Sequence, residues 1–132
     1  SADSGAEQVF YMSSNSVVVG LNPITNTTAP DNAAHNKICD PLVRNNAVEG
    51  NTTETVPGSA ESWDVSEDGK VYTFHIRSGV TFSDGEKCDA YAIKANFDAI
   101  LENKDRHTWL EMMHLLVGVD APDENNLCDR II

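Results

Sequence analysis

The sequence predicts an α+β fold, a small antiparallel or mixed sheet with two or three helices packed on it. Three observations point there. The dipeptide Asp68-Gly69, a strong hairpin turn signal, is followed by strict alternation in Val71–Arg77, with Tyr72, Phe74 and Ile76 on one face. Farther on, Ile93, Phe97, Ile100 and Leu101 recur at helical spacing behind Asp89, a good N-cap. Strands and helices also come in separate runs instead of alternating as βαβ units.

Taken in order, residues 1–8 are small and polar and read as a flexible lead-in. Val9-Phe10-Tyr11-Met12 reads as a short strand, with Val17-Val18-Val19 as its continuation or a second strand. Residues 22–30 form a Thr/Asn-rich loop, and Asp31 caps a short helix that ends near Cys39, ahead of Pro41. Residues 45–57 are polar and read as a surface connection. Trp63-Asp64-Val65 and Val71–Arg77 are the strands of the hairpin, and Val80-Thr81-Phe82, set between Ser78-Gly79 and Asp84-Gly85, extends it into a meander. After the first of the two helices, a charged link over 102–106 leads to a second, with Trp109, Met112, Met113 and Leu116 spaced i, i+3, i+4, i+7. Residues 117–132 form two strands around a turn at 121–126, and Ile131-Ile132 stops in mid-strand, as a truncated chain would.

The chain has 132 residues, one domain's worth, with 40% apolar residues, enough for a core without metal or disulfide staples. A net charge of −12, from 9 basic and 21 acidic side chains, repels phosphate backbones and anionic lipid, so nucleic acid is excluded as a partner. The longest apolar stretch, Leu115–Val119, is interrupted by Gly118 and is far too short to span a bilayer. Cys39, Cys88 and Cys128 are odd in number and widely spaced. They match no metal knuckle, and the reading is three small buried hydrophobes.

Little here suggests catalysis. No G-x-S-x-G elbow, phosphate-cradling glycine motif or activated cysteine is present, and acid pairs such as Glu67-Asp68 and Asp123-Glu124 lie in turns. The chain is expected not to be an enzyme and to need no cofactor. His107, Glu111 and His114 fall at i, i+4 and i+7, which on a helix places two imidazoles and a carboxylate on one face, a donor set suited to a transition metal. The plainer reading is a solvated polar face, with no metal site. Trp109 also divides two readings. Its spacing with Met112, Met113 and Leu116 makes it a core anchor, whereas its place just after Arg106 at a helix start lets the pair face a cleft. There the guanidinium would grip a carboxylate and the indole would stack on a flat or cationic group.

Several linked motifs then form a pattern. Pro57-Gly58-Ser59-Ala60-Glu61-Ser62-Trp63, Ser66-Glu67-Asp68-Gly69-Lys70, Tyr72-Thr73-Phe74-His75-Ile76-Arg77, Val80–Glu86 and Asp89-Ala90 stand in sequence. Together they resemble the extracellular solute-binding proteins (family 5) of ABC importers for peptides and nickel. Cys39-Asp40-Pro41-Leu42-Val43-Arg44 is similar to the family's upstream signature, where an aromatic residue usually stands at position 39. Asn96–Asn103 followed by Arg106-His107-Thr108-Trp109-Leu110-Glu111 is most similar to the nickel-binding branch.

The resemblance implies the amino-terminal portion, over residues 1–132, of a two-lobed protein with a periplasmic-binding-protein type II-like fold. It implies a ligand pocket to which Trp109 and Arg106 contribute, and a chelated nickel or similar metal complex as the transported ligand. A methionine that lines this pocket in some members has no counterpart before Asp40-Pro41, where Asn32 stands nearby. A di- or oligopeptide is the alternative ligand, and a small metal-handling domain using His107, Glu111 and His114 is the alternative of another class. The implied partners are the small-molecule ligand and an ABC permease in the membrane. The protein would be a monomer, periplasmic or extracellular, held at the cell surface by a lipid anchor in its full-length form.

Overall fold

The computed structural model describes residues 11, 17–20, 22, 24, 28–48, 51–106 and 113–132, with side-chain surroundings for all of these but residues 47, 48 and 51–53. The elements run α1 (Ala29–Ile38), β1 (Val43–Val48), β2 (Asn51–Pro57), β3 (Ala60–Val65), β4 (Val71–Ile76), α2 (Ala90–Asn103), β5 (Leu116–Asp123) and β6 (Asn126–Ile131). Two antiparallel sheets result, β1-β2 and β3-β4-β6-β5. With two helices among the described residues, this is the expected α+β class.

Helix α1 starts earlier than the sequence suggests. Thr28, not Asp31, is the N-cap, and Pro30 sits in the first turn, where its missing N–H costs nothing. Asp31 lies three residues past the cap and is buried. Its N–H donates to Thr28 Oγ1 at 3.4 Å, while that hydroxyl donates to Asp31 Oδ2 at 2.6 Å, a capping-box arrangement. Asp31 Oδ1 also accepts from the backbone N–H groups of Val19, at 2.8 Å, and Gly20, at 3.3 Å. The Thr28 hydroxyl first, then these amides, hold the Asp31 carboxyl below the usual carboxylate range. Val19 and Gly20 are thus tied to the helix, and residues 17–19 are exposed and outside any strand. Of the expected strand at 9–12 only Tyr11 lies within the described residues, and it too is exposed.

The polar stretch read as a connection is a hairpin. β1 and β2 pair from Val43↔Pro57 to Val48↔Asn51, with an irregularity between Asn46 and Val48. Strand pairing satisfies the backbone here without an apolar face, which is why no alternation marks it. The chain then passes to β3 through Gly58. Ser59 N–H donates to Pro41 carbonyl and Ala60 N–H to Leu42 carbonyl, both at 3.0 Å, so the segment entering β1 and the segment entering β3 lie side by side.

The Asp68-Gly69 turn forms as expected, with Gly69 at φ 70°, the left-handed region that glycine enters without strain. Ser66 Oγ and Lys70 N–H both donate to Asp68 Oδ1. β4 is a central strand, but its second neighbour is β6 and not the segment 80–82. That segment keeps a single bridge, Thr81↔Lys87, and Phe82 is exposed. The turn at 83–85 follows too soon for a strand to extend.

Asp89 caps α2, its side chain accepting the Ala92 N–H at 3.0 Å. Ile93, Phe97 and Leu101 pack onto a core of Ala60, Ile76, Ala90, Leu116, Val119 and Leu127. Phe74 joins them and stacks on Tyr72. The helix expected over 109–116 does not reach Leu116: residues 113–115 form a 3₁₀ turn, and Leu116, buried, opens β5. Four apolar positions do not determine where a helix stops, and Leu116 is taken into β5 by its pairing with Ile131. The closing hairpin β5-β6 forms as expected around Glu124-Asn125. None of the cysteines is buried: Cys39 is exposed, Cys88 and Cys128 are half-buried, and all three thiols are free.

Candidate functional site

Arg106 is exposed in the turn that follows α2, its N–H donating to the Asn103 carbonyl at 2.9 Å. Asn103 in turn donates from Nδ2 to the Ala99 carbonyl at 2.8 Å, fastening the end of the helix from which Arg106 projects. Trp109, the other residue assigned to a ligand pocket, lies outside the described residues, as do His107 and Glu111. His114 is exposed in the 3₁₀ turn, its Nδ1 4.0 Å from Asp105 Oδ1. Asp105 and His114 therefore bring together the two ends of the segment that carries Trp109. No group of three or more His, Cys, Asp or Glu side chains suited to a metal occurs among the described residues.

An open concavity of about 530 Å³ lies at the C-terminal end of α1, lined by His35, Asn36, Cys39, Asp40, Pro41 and Arg44. Asp40 and Arg44 pair across it, and both are largely exposed, so the pair adds little to stability. This is the place of the Cys39–Arg44 signature. Arg106 is not among the lining residues.

The central sheet holds two titrating groups that alternation alone does not reveal. His75 lies between Asp64 of β3 and Asn126 of β6, at 2.9 Å and 2.8 Å. The hairpin register places His75 diagonally from Asp64 across the Asp68-Gly69 turn, a signal present in the sequence; Asn126 follows only once β6 is known to flank β4. Asp129 stands between Leu127 and Ile131 on the same face of β6, the packed side, and has a buried Oδ1 without a hydrogen-bond partner among the described residues. Burial pushes its carboxyl up from the usual 3.8 to about 6.

The sign of the consequence follows from linkage. A carboxyl raised in the fold binds its proton more tightly there, so stability is gained as pH falls through 6 towards 3.8 and lost again as pH rises. Asp129→Asn is expected to unfold at higher urea than the parent at pH 7.5, with the gap closing by pH 4. Urea midpoints at the two pH values check it, and a gap that persists at pH 4 contradicts it.

Comparison with known proteins places this architecture. The family model described as bacterial extracellular solute-binding proteins, family 5 Middle, matches residues 54–127. The nickel-binding periplasmic protein of Escherichia coli (strain K12) is 43% identical over 94 residues, covering 71% of this chain and 17% of that protein. The dipeptide-binding protein of the same organism is 61% identical over 36 residues, 27% of this chain and 7% of its own length. Among solved structures, NikA from Brucella suis in complex with Fe(III)-EDTA superposes with a TM-score of 0.75 at 38% identity, over 86% of this chain and 22% of that one. DppA from Helicobacter pylori in complex with the peptide STSA gives 0.66 at 27% identity, over 84% of this chain and 24% of that one. In each case the chain spans less than a quarter of the relative's length. The family match runs through both strands of the Asp68-Gly69 hairpin, α2 and β5, and the structural neighbours share the type II-like periplasmic-binding-protein fold. This chain belongs to the bacterial extracellular solute-binding proteins of family 5.

Proposed function

We propose that the chain is the amino-terminal portion of the extracytoplasmic substrate-binding component of an ABC importer, and that the complete protein captures a chelated nickel, or a similar metal complex, for delivery to a membrane permease. The observation that carries this reading is the 43% identity over 94 residues to a nickel-binding periplasmic protein. The run Arg106-His107-Thr108-Trp109-Leu110-Glu111, which resembles the nickel branch, supports it further. Capture needs no bond chemistry. Ligand enters an open cleft, two lobes close by hinge motion, and the closed form docks on the permease. Trp109 supplies a flat apolar wall for stacking, and Arg106 supplies a forked donor for a chelator carboxylate. The protein works as a monomer, in the periplasm or held at the cell surface by a lipid anchor.

A second reading is a di- or oligopeptide receptor of the same family. The 61% identity over 36 residues to a dipeptide-binding protein favours it. In that case a peptide is held chiefly through main-chain hydrogen bonds and contacts to its terminal charges.

The test is substitution in the full-length protein. Trp109→Ala and Arg106→Ala are each expected to weaken binding of a nickel–histidine mixture by about tenfold, near 1.4 kcal/mol, read by calorimetry. Unchanged affinity in both variants contradicts the assigned pocket.

A further inference from the structure

Only the protonated imidazole can make both of the His75 ring contacts at once. Asn126 donates from Nδ2 to both oxygens of Asp123, at 2.9 and 2.8 Å. A carboxylate only accepts, so this contact sets the amide orientation and leaves Asn126 Oδ1, an acceptor, facing His75 Nδ1. On the other side, His75 Nε2 faces Asp64 Oδ2, again an acceptor. Both ring nitrogens must then carry hydrogen, and an imidazole with two N–H groups is a cation. The neutral ring has one N–H and must surrender one of the two contacts.

These contacts join parts of the sheet that no single turn connects. Asp64 lies on the edge strand β3, whereas Asn126 opens β6 beside the β5-β6 turn. That turn is itself a junction. Asn125 carbonyl accepts the Ile76 N–H at 2.7 Å, Glu124 carbonyl accepts the first N–H of α2, from Ala90, at 2.9 Å, and Ser78 Oγ donates to Asn125 Oδ1 at 3.1 Å.

We propose that His75 is a pH-operated latch: as the imidazolium it ties the edge strand β3 to the β5-β6 turn, and loss of its proton releases one of the two ties. The charged and titratable groups around it are Asp64 and Glu61 on β3 and Asp123 at the end of β5, with the Cys128 thiol two residues along β6 on the same face as Asn126. The three acids favour the cation. The Asp64 hydrogen bond, then that of Asn126, raises the His75 pKa above its ordinary 6.5, and Asn126 with the nearby imidazolium helps to lower that of Asp123. A raised histidine contributes stability that is full below 6.5 and disappears as pH rises through the folded value. The latch is closed below the folded midpoint and opens as pH rises through it.

The test is an NMR titration of the histidine rings in the full chain, with His75→Gln to assign the signal, alongside amide exchange on either side of the midpoint. The expected result is a His75 midpoint above 6.5 with both ring nitrogens protonated below it. Asp64→Asn should lower the midpoint and Asp64→Glu largely restore it; Asp64 is exposed, so both variants should keep the fold. Above the midpoint, amides of β3 and of the β5-β6 turn should exchange faster than base catalysis alone accounts for. A midpoint at or below 6.5, or one indifferent to Asp64→Asn, overturns the ionic assignment. A raised midpoint with unaltered exchange overturns the latch.

Discussion

Gly58→Ala is expected to destabilise the protein by about 1–3 kcal/mol. A Cβ at this position would overlap Pro41 O and lie 2.9 Å from Leu42 O and 3.1 Å from Leu42 C. All three are backbone atoms, so no side chain can swing aside. The two carbonyls are also the acceptors for Ser59 and Ala60, and Arg77 holds the same place from the far side, its N–H on the Ser59 carbonyl and its Nε on the Gly58 carbonyl. Relieving the overlap means separating the junction between the two sheets and breaking at least one of these bonds. Urea unfolding of parent and variant measures it, and a midpoint within about 0.5 kcal/mol of the parent, as for an ordinary surface change, would show that the close approach does not exist.

Leu127→Ala carries the second large effect, about 2–5 kcal/mol. Leu127 is 0% exposed on the inner strand β6, among Ala60, Ile76 and Val119 and beneath the Ile93, Phe97 and Leu101 face of α2. Leu127 itself sits on a strand paired on both sides, by β4 and β5, which leaves the site little freedom to collapse around the lost atoms. Val65→Ala, on the exposed end of the edge strand, removes apolar atoms with an expected cost below 0.5 kcal/mol. Equal midpoints for the two variants would place the core elsewhere.

What was legible in the sequence follows the strength of local signals. Asp68-Gly69, the alternation through Val71–Arg77 and the Asp89 cap act through neighbouring residues, and the turn, the strand and the cap formed as expected. Ile76 is buried and Phe74 packs on the core, whereas Tyr72 is half-buried like Thr73 and His75. The β1-β2 hairpin left no mark because Asn, Thr and Glu on both faces give no hydrophobic period. Placing β6 beside β4 depends on a contact across some fifty residues, which no local pattern encodes. Thr28 was missed as a cap because Pro30 reads as loop, although it is well suited to a first helical turn. Of the site, Arg106 is exposed in the turn beyond α2, while Trp109 lies outside the described residues. The His75 arrangement required a register, a third strand and an amide orientation together.

The central claim is that the complete protein carries a chelated metal. Calorimetry on that full-length protein tests it directly: nickel alone, nickel with free histidine, and a mixed dipeptide pool are titrated in parallel. The account predicts saturable heat with the nickel–histidine mixture and none with dipeptides. Saturable heat from the dipeptides and none from nickel in either form would contradict it and assign the protein to the peptide receptors of its family.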